Sequence, residues 1–145
     1  MRKGQAAMEF LMTYGWAILV VLAAIGALAY FGVLNPGNFL PEKCALPSGM
    51  ACIDFRQDSN DTIQVIIQNS MGYDISQMNA SIVNDGVECI STQADLEDGD
   101  KTLFEMTCGT ELTKGKFSSP LTVRYYIQAS DMYHIKTGQL ILKVE

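Results

Sequence analysis

A single histidine, a single tryptophan and four prolines are all that 145 residues contain of those types. The shortage of histidine narrows the chemistry most. A nucleophile–base triad would have to be built around His134, with Asp131 three residues away and nothing in the sequence to fix their geometry. No Cys/His set stands at zinc spacing, and there is no Walker loop or dinucleotide fingerprint. Positive charge is scarce too. Setting Arg2, Lys3 and Glu9 aside from the 10 basic and 16 acidic residues leaves 8 against 15, a net charge of −7 from Asn35 onward. An acidic surface without a basic stripe argues against a nucleic-acid partner. These absences predict no enzymatic activity of its own, no cofactor and no metal site.

Charge is missing altogether between Phe10 and Leu34, an apolar run of 25 residues. At ~1.5 Å per residue it makes roughly 37 Å of helix, enough to cross a ~30 Å hydrocarbon layer with some tilt. Arg2 and Lys3 precede it and no basic cluster follows, so the N-terminus is expected to stay cytoplasmic and the acidic remainder to lie outside. Asn35-Pro36-Gly37 supplies the stop. Glu9 stands at the lip of this segment, where a carboxylate is costly and seldom kept without a partner.

Three fates of this segment compete. Ala27-Leu28-Ala29 matches the small-x-small rule for a secretory cut that would leave Tyr30 first, although the run exceeds the usual ~7–15 apolar residues. A permanent single-pass anchor fits the length. A cut between Gly4 and Gln5 would instead remove the basic leader and keep the helix. It would place Glu9 one turn from the new amine of Gln5, or opposite the amine of a neighbouring copy. Either pairing offsets much of the cost of both charges in apolar surroundings. Gly15, Ala17, Ala23, Ala24, Gly26, Ala27, Ala29 and Gly32 are small enough for helix backbones to approach closely.

Lys3-Gly4-Gln5-Ala6-Ala7-Met8-Glu9-Phe10-Leu11 closely resembles the class III signal peptides of archaeal type IV pilins. In that family a prepilin peptidase cuts before a Gln, and a Glu stands fifth in the mature chain; Gln5 and Glu9 match both. Ala7 departs from the frequent Ser at the third mature position. The resemblance is specific over residues 2–34. It implies a structural surface filament, a homo-oligomer with the helices bundled inside and the C-terminal domains outside, serving adhesion or surface attachment. It further implies a membrane-inserted precursor, a prepilin peptidase, and an assembly ATPase with its platform protein as partners.

Beyond the helix, short alternating runs separated by turn residues predict an antiparallel β-sandwich, immunoglobulin-like in the broad sense, and so an α+β chain. Candidate strands are 51–57, 62–69, 79–83, 88–93, 102–108, 121–129, 133–136 and 139–144. Turns are expected at Ser59-Asn60-Asp61, Met71-Gly72-Tyr73, Asn84-Asp85-Gly86, Asp98-Gly99-Asp100, Lys114-Gly115-Lys116 and Thr137-Gly138. The expected division is leader 1–4, helix 5–35, linker 36–49 and domain 50–145. Cys44, Cys52, Cys89 and Cys108 all lie beyond the apolar run, and an even count behind an export-type N-terminus reads as two disulfides. Of three connectivities, Cys44–Cys52 with Cys89–Cys108 is favoured, since each closes a short local loop.

Three surface features are candidates for function. The acids of Asp95-Leu96-Glu97-Asp98-Gly99-Asp100 read as a solvated loop, since their spacing is not that of a calcium hand. Asn60-Asp61-Thr62 and Asn79-Ala80-Ser81 are N-glycosylation sequons, Asn60 in a turn and Asn79 opening a strand. Tyr125, Tyr126 and Tyr133 form an aromatic group, of which one of the Tyr125/Tyr126 pair faces the core and the other solvent.

Overall fold

A computed structural model describes residues 2–32, 41–59 and 61–145. The chain divides into two compact units, one to residue 40 and one from Pro41. The first is a single helix, α1 (Arg2–Tyr30). It ends earlier than expected. Gly32 takes the left-handed conformation (φ 69°), and the amides of Phe31 and Gly32 bond back to the carbonyls of Ala27 and Ala29. That glycine-capped turn closes the helix. The expected stop at Asn35-Pro36-Gly37 lies outside the described residues, as does the whole of 33–40.

The second unit holds nine strands: β1 (Lys43–Ala45), β2 (Met50–Ser59), β3 (Thr62–Asn69), β4 (Ile75–Asn84), β5 (Val87–Ser91), β6 (Ala94–Leu96), β7 (Lys101–Cys108), β8 (Gly115–Ile127) and β9 (Met132–Val144). They pair antiparallel in the order β1-β9-β8-β4-β5-β7-β3-β2, with β6 added to β4. The sheet curls until β2 packs near β1 and β9. The result is sandwich-like and nearly a barrel, which leaves little free sheet edge. Fold class is therefore α+β, one long apolar helix followed by an antiparallel β domain.

Alternation builds the core. Ile63, Val65 and Ile67 of β3, Met78, Ala80 and Ile82 of β4, Phe104 and Met106 of β7, Leu121 and Val123 of β8 and Leu140 of β9 are all fully buried or nearly so. Each of these side chains larger than Ala80 is worth roughly 1.5–3 kcal/mol of transfer free energy. Two disulfides reinforce it. Cys44–Cys52 joins β1 to β2 across the seam, and Cys89–Cys108 links residues directly opposite each other on β5 and β7. Each contributes on the order of 2–4 kcal/mol. At Asp85 (φ 48°) and Gly86 (φ 83°) the chain makes the two-residue hairpin that Asn84-Asp85-Gly86 implies.

The boundaries shift in five main places. β8 opens at Gly115 and not at residue 121, because residues 115–120 already pair with β9 where a turn at Lys114-Gly115-Lys116 is expected. β1 falls inside the stretch expected as the linker 36–49, because residues 43–45 pair with β9. Residues 133–136 and 139–144 are one strand, since Thr137-Gly138 stays in register with Thr122 and Leu121 of β8. β4 opens at Ile75 rather than Asn79, with an irregularity between Ser76 and Asn79 against β8. β6 emerges from the acidic stretch.

Fully buried Asn69 ties the loops at one end of the domain. Its amide reaches the carbonyls of Tyr73, Leu96 and Glu97, and its Oδ1 accepts from the Met71 amide. Asn69→Ala strands these groups without partners, an expected loss of about 3 kcal/mol. The check is a urea midpoint that falls while the slope of the transition stays constant.

Candidate functional site

Gly4, Gln5 and Glu9 occupy the opening turns of α1 and are exposed. Among the described residues, apart from the neighbouring backbone of α1 itself, nothing lies within 4 Å of where a Gly4 side chain would begin. Gln5 and Glu9 are one turn apart on one face. Among the described residues the Glu9 carboxylate has no ion-pair partner, while its backbone carbonyl accepts the Thr13 hydroxyl at 2.8 Å. The first turn holds no acid, so the positive end of the helix dipole is faced by the basic residue Lys3. Both effects make this turn the weakest part of the helix, and a glycine there weakens it further.

From Lys3 to Tyr30 the helix is long and apolar enough to cross a membrane. It carries no polar face: Leu11, Met12, Trp16, Leu19 and Leu22 all point outward and are 59–83% exposed. A helix that is hydrophobic on all sides needs apolar surroundings, either lipid or other helices. Phe10 and Tyr14 rings lie 4.9 Å apart. With Ala17, Ile18, Val21 and Leu22 they frame a shallow apolar groove of about 350 Å³.

In the β domain the sites separate. The acids of 95–100 act as acceptors for backbone amides: Asp95 takes the Gln77 N–H at 2.8 Å and Asp98 takes the Gly72 N–H at 2.8 Å. Neighbouring Asp74 accepts the Asp98 N–H. The loop is thereby latched to the start of β4 and the segment that leads into it, at the end of the domain that Asn69 ties, and no group of three metal-ligating side chains occurs among the described residues. Asp131 and His134 face opposite ways. Asp131 accepts the Tyr126 hydroxyl, whereas His134 stacks on Tyr125 at 5.6 Å and buries an unpartnered Nε2. His134, Tyr73 and Asp74 border an open hollow of about 670 Å³ at that end of the domain.

Asn60 lies outside the described residues. Its neighbour Asp61 is held below the ordinary carboxyl range by hydrogen bonds from Ser59 and Thr62. Asn79 is half-buried in the middle of β4, paired with Arg124 of β8, and its Oδ1 is enclosed without a partner.

Tyr125 is 3% exposed and points inward; Tyr126 lies on the outer face. Burial raises the Tyr125 phenol above its ordinary pKa, with Tyr73 adding to it. Tyr126 is also raised, chiefly by its bond to Asp131. On the outer face Tyr126 and Tyr133 are opposite partners, their rings 5.1 Å apart. The Arg124 guanidinium sits 4.2 Å from the Tyr133 ring. Gln77 accepts the Tyr133 hydroxyl at 2.5 Å. Sequence reasoning passed over Arg124 and Gln77. Alternation with Tyr126 could have revealed Arg124; the position of Gln77 depends on an irregularity that leaves no sequence mark.

Set against known proteins, the chain matches no family model and no curated protein.

Proposed function

We propose that this chain is the precursor of a structural subunit of an archaeal type IV pilus-like surface filament, serving attachment to surfaces. In this reading α1 packs in the filament core, the β domain lies outside, and the chain has no enzymatic activity of its own. The observation that carries it is α1: a long apolar helix that bears near its start, one turn from Gln5, a carboxylate without an ion-pair partner among the described residues. Lipid satisfies the apolar faces but not Glu9. A bundle of identical helices, each offering an N-terminal amine, satisfies both.

The order of events follows. The chain inserts with Arg2 and Lys3 inside, the outer domain folds and closes its two disulfides, and a prepilin peptidase cuts between Gly4 and Gln5. An assembly ATPase and its platform protein then draw the helix from lipid into the bundle. Because lipid is already apolar, close packing and charge pairing must drive the transfer. A contact between different faces of successive copies does not close on itself and propagates as an open helix.

The test is the N-terminal residue of the mature protein in the cell-surface fraction, by mass spectrometry. Gln5 as first residue, with α1 retained, is the expected result. A start at Tyr30 would mean ordinary secretion. An intact leader would mean a single-pass anchored surface protein that does not polymerise, and either outcome overturns the proposal.

A further inference from the structure

Three non-glycine residues among those described have positive φ. Asp85 and Asp131 lie in hairpin turns, where aspartate tolerates the left-handed region. Gln77 does not. It stands inside β4 with φ 49°, at the irregularity between Ser76 and Asn79, where β4 also shifts register against β6. A long side chain in that conformation is strained, and such strain persists only where the surroundings enforce it. Here Asp95 holds the Gln77 amide N–H. The distortion puts the Gln77 side chain against the Tyr133 hydroxyl. Bulges of this kind re-aim side chains beside functional sites.

The side chains gathered there have one character. Tyr133 is 48% exposed and Ile135, two residues on, is 65% exposed. Arg124 braces the Tyr133 ring, Tyr126 lies beside it, and Asp131 holds Tyr126. The result is a pair of tyrosine rings tilted 55° to each other, with the Arg124 guanidinium over Tyr133 and one amide and one carboxylate beside them. The amide still has its N–H donors free for a ligand, since Gln77 meets Tyr133 through its carbonyl oxygen. Asp131 keeps acceptor capacity beyond the Tyr126 bond. Arg124 offsets Asp131, and Asp95 on the Gln77 N–H leaves the site, like the surrounding domain, acidic and repellent to anions.

From this we infer that the outer face of β4, β8 and β9 around Tyr133 binds a neutral carbohydrate, whose C–H face lies against the exposed part of the Tyr133 ring and whose hydroxyls meet Gln77, Asp131 and Arg124. A saturated sugar ring, with a C–H face and hydroxyls that each donate and accept around its rim, is the ligand class these groups match. The site deepens the attachment part of the function proposed above, and it does not depend on polymerisation.

The experiment uses the full-length chain in a detergent without sugar groups, titrated by calorimetry with neutral oligosaccharides of glucose, mannose, galactose and N-acetylglucosamine. At least one should saturate the wild type. Tyr133→Ala should weaken it about tenfold or more, as truncating an aromatic anchor does. Gln77→Gly separates binding from folding: glycine relieves the strained φ, so Tm should hold or rise, while affinity should fall several-fold. Val83→Ser, exposed elsewhere on β4, should leave affinity unchanged. The inference is overturned if no oligosaccharide binds the wild type, or if both site variants bind normally. It is equally overturned if Tyr133→Ala abolishes self-association of the chain and leaves sugar binding intact, because the face is then a contact between copies. Since polymerisation plays no part in the measurement, failure here leaves the filament reading standing, and a mature N-terminus other than Gln5 leaves this site standing.

Discussion

Gly138→Ala is expected to lower the melting temperature of the β domain by on the order of 10–15 °C, through a loss of about 3 kcal/mol. The cause is space and not backbone conformation. A methyl group at Gly138 would lie 2.0 Å from the Ala45 carbonyl oxygen and 3.0 Å from the Cα of Leu46. Those are main-chain atoms, so no side chain can swing away. Either β9 bends out of register with β8, or β1 leaves β9. The second course is restrained, because Cys44 of β1 is bonded to Cys52 of β2. The strain therefore stays in the folded state. Gly72→Ala is the control: nothing lies within 4 Å of the added carbon, but φ is +82°. That substitution should cost only about 1 kcal/mol. Thermal melts monitored by circular dichroism, with disulfides intact, would separate the two. Equal losses would mean that the approach of β1 to β9 does not constrain the fold.

The same glycine shows where sequence reading reaches its limit. Thr137-Gly138 looks like a turn because glycine is most often placed by conformation. Here it is placed by close approach, and the chain runs straight through. The strand that requires it, β1, is three residues long and shows no alternation of its own; only its pairing with Lys43↔Ile141 and Ala45↔Gln139 makes it a strand. By contrast Thr62–Asn69 was legible to the residue, since Ile63, Val65 and Ile67 alternate inward over its full length. The helix was legible from its apolar run, but its end was not, because Gly32 caps it before the more conspicuous Asn35-Pro36-Gly37. Among the surface candidates, alternation correctly divided Tyr125 from Tyr126. It gave no sign of Gln77, because an irregular strand breaks the period on which such readings depend.

If the chain assembles as proposed, Glu9→Ala should abolish filaments while leaving a folded, membrane-bound protein. The side chain is exposed and makes no ion pair among the described residues, so the chain's own fold loses nothing measurable. In the assembled bundle its removal would leave an N-terminal amine unpaired in apolar surroundings. Stranding one partner of a buried ion pair costs roughly 3–5 kcal/mol, a factor of at least ~100 in the association constant. Every copy in the filament repeats that deficit, so growth fails instead of slowing. Glu9→Gln discriminates between causes. It keeps the shape and a hydrogen-bonding carbonyl and removes the charge; it should fail as well if docking depends on the amine, and should succeed if Glu9 only fills space. Gly26→Leu probes the other half of the argument. Among the described residues, apart from the neighbouring backbone of α1, nothing lies within 4 Å of a side chain added at Gly26, so a large side chain there disturbs the lone helix little and obstructs only a neighbouring one. The readout is filament abundance by electron microscopy beside membrane-fraction protein by immunoblot. Normal filaments in Glu9→Ala would sink the proposed docking mechanism. Normal filaments in Gly26→Leu alone would place the contact on another face of the same helix.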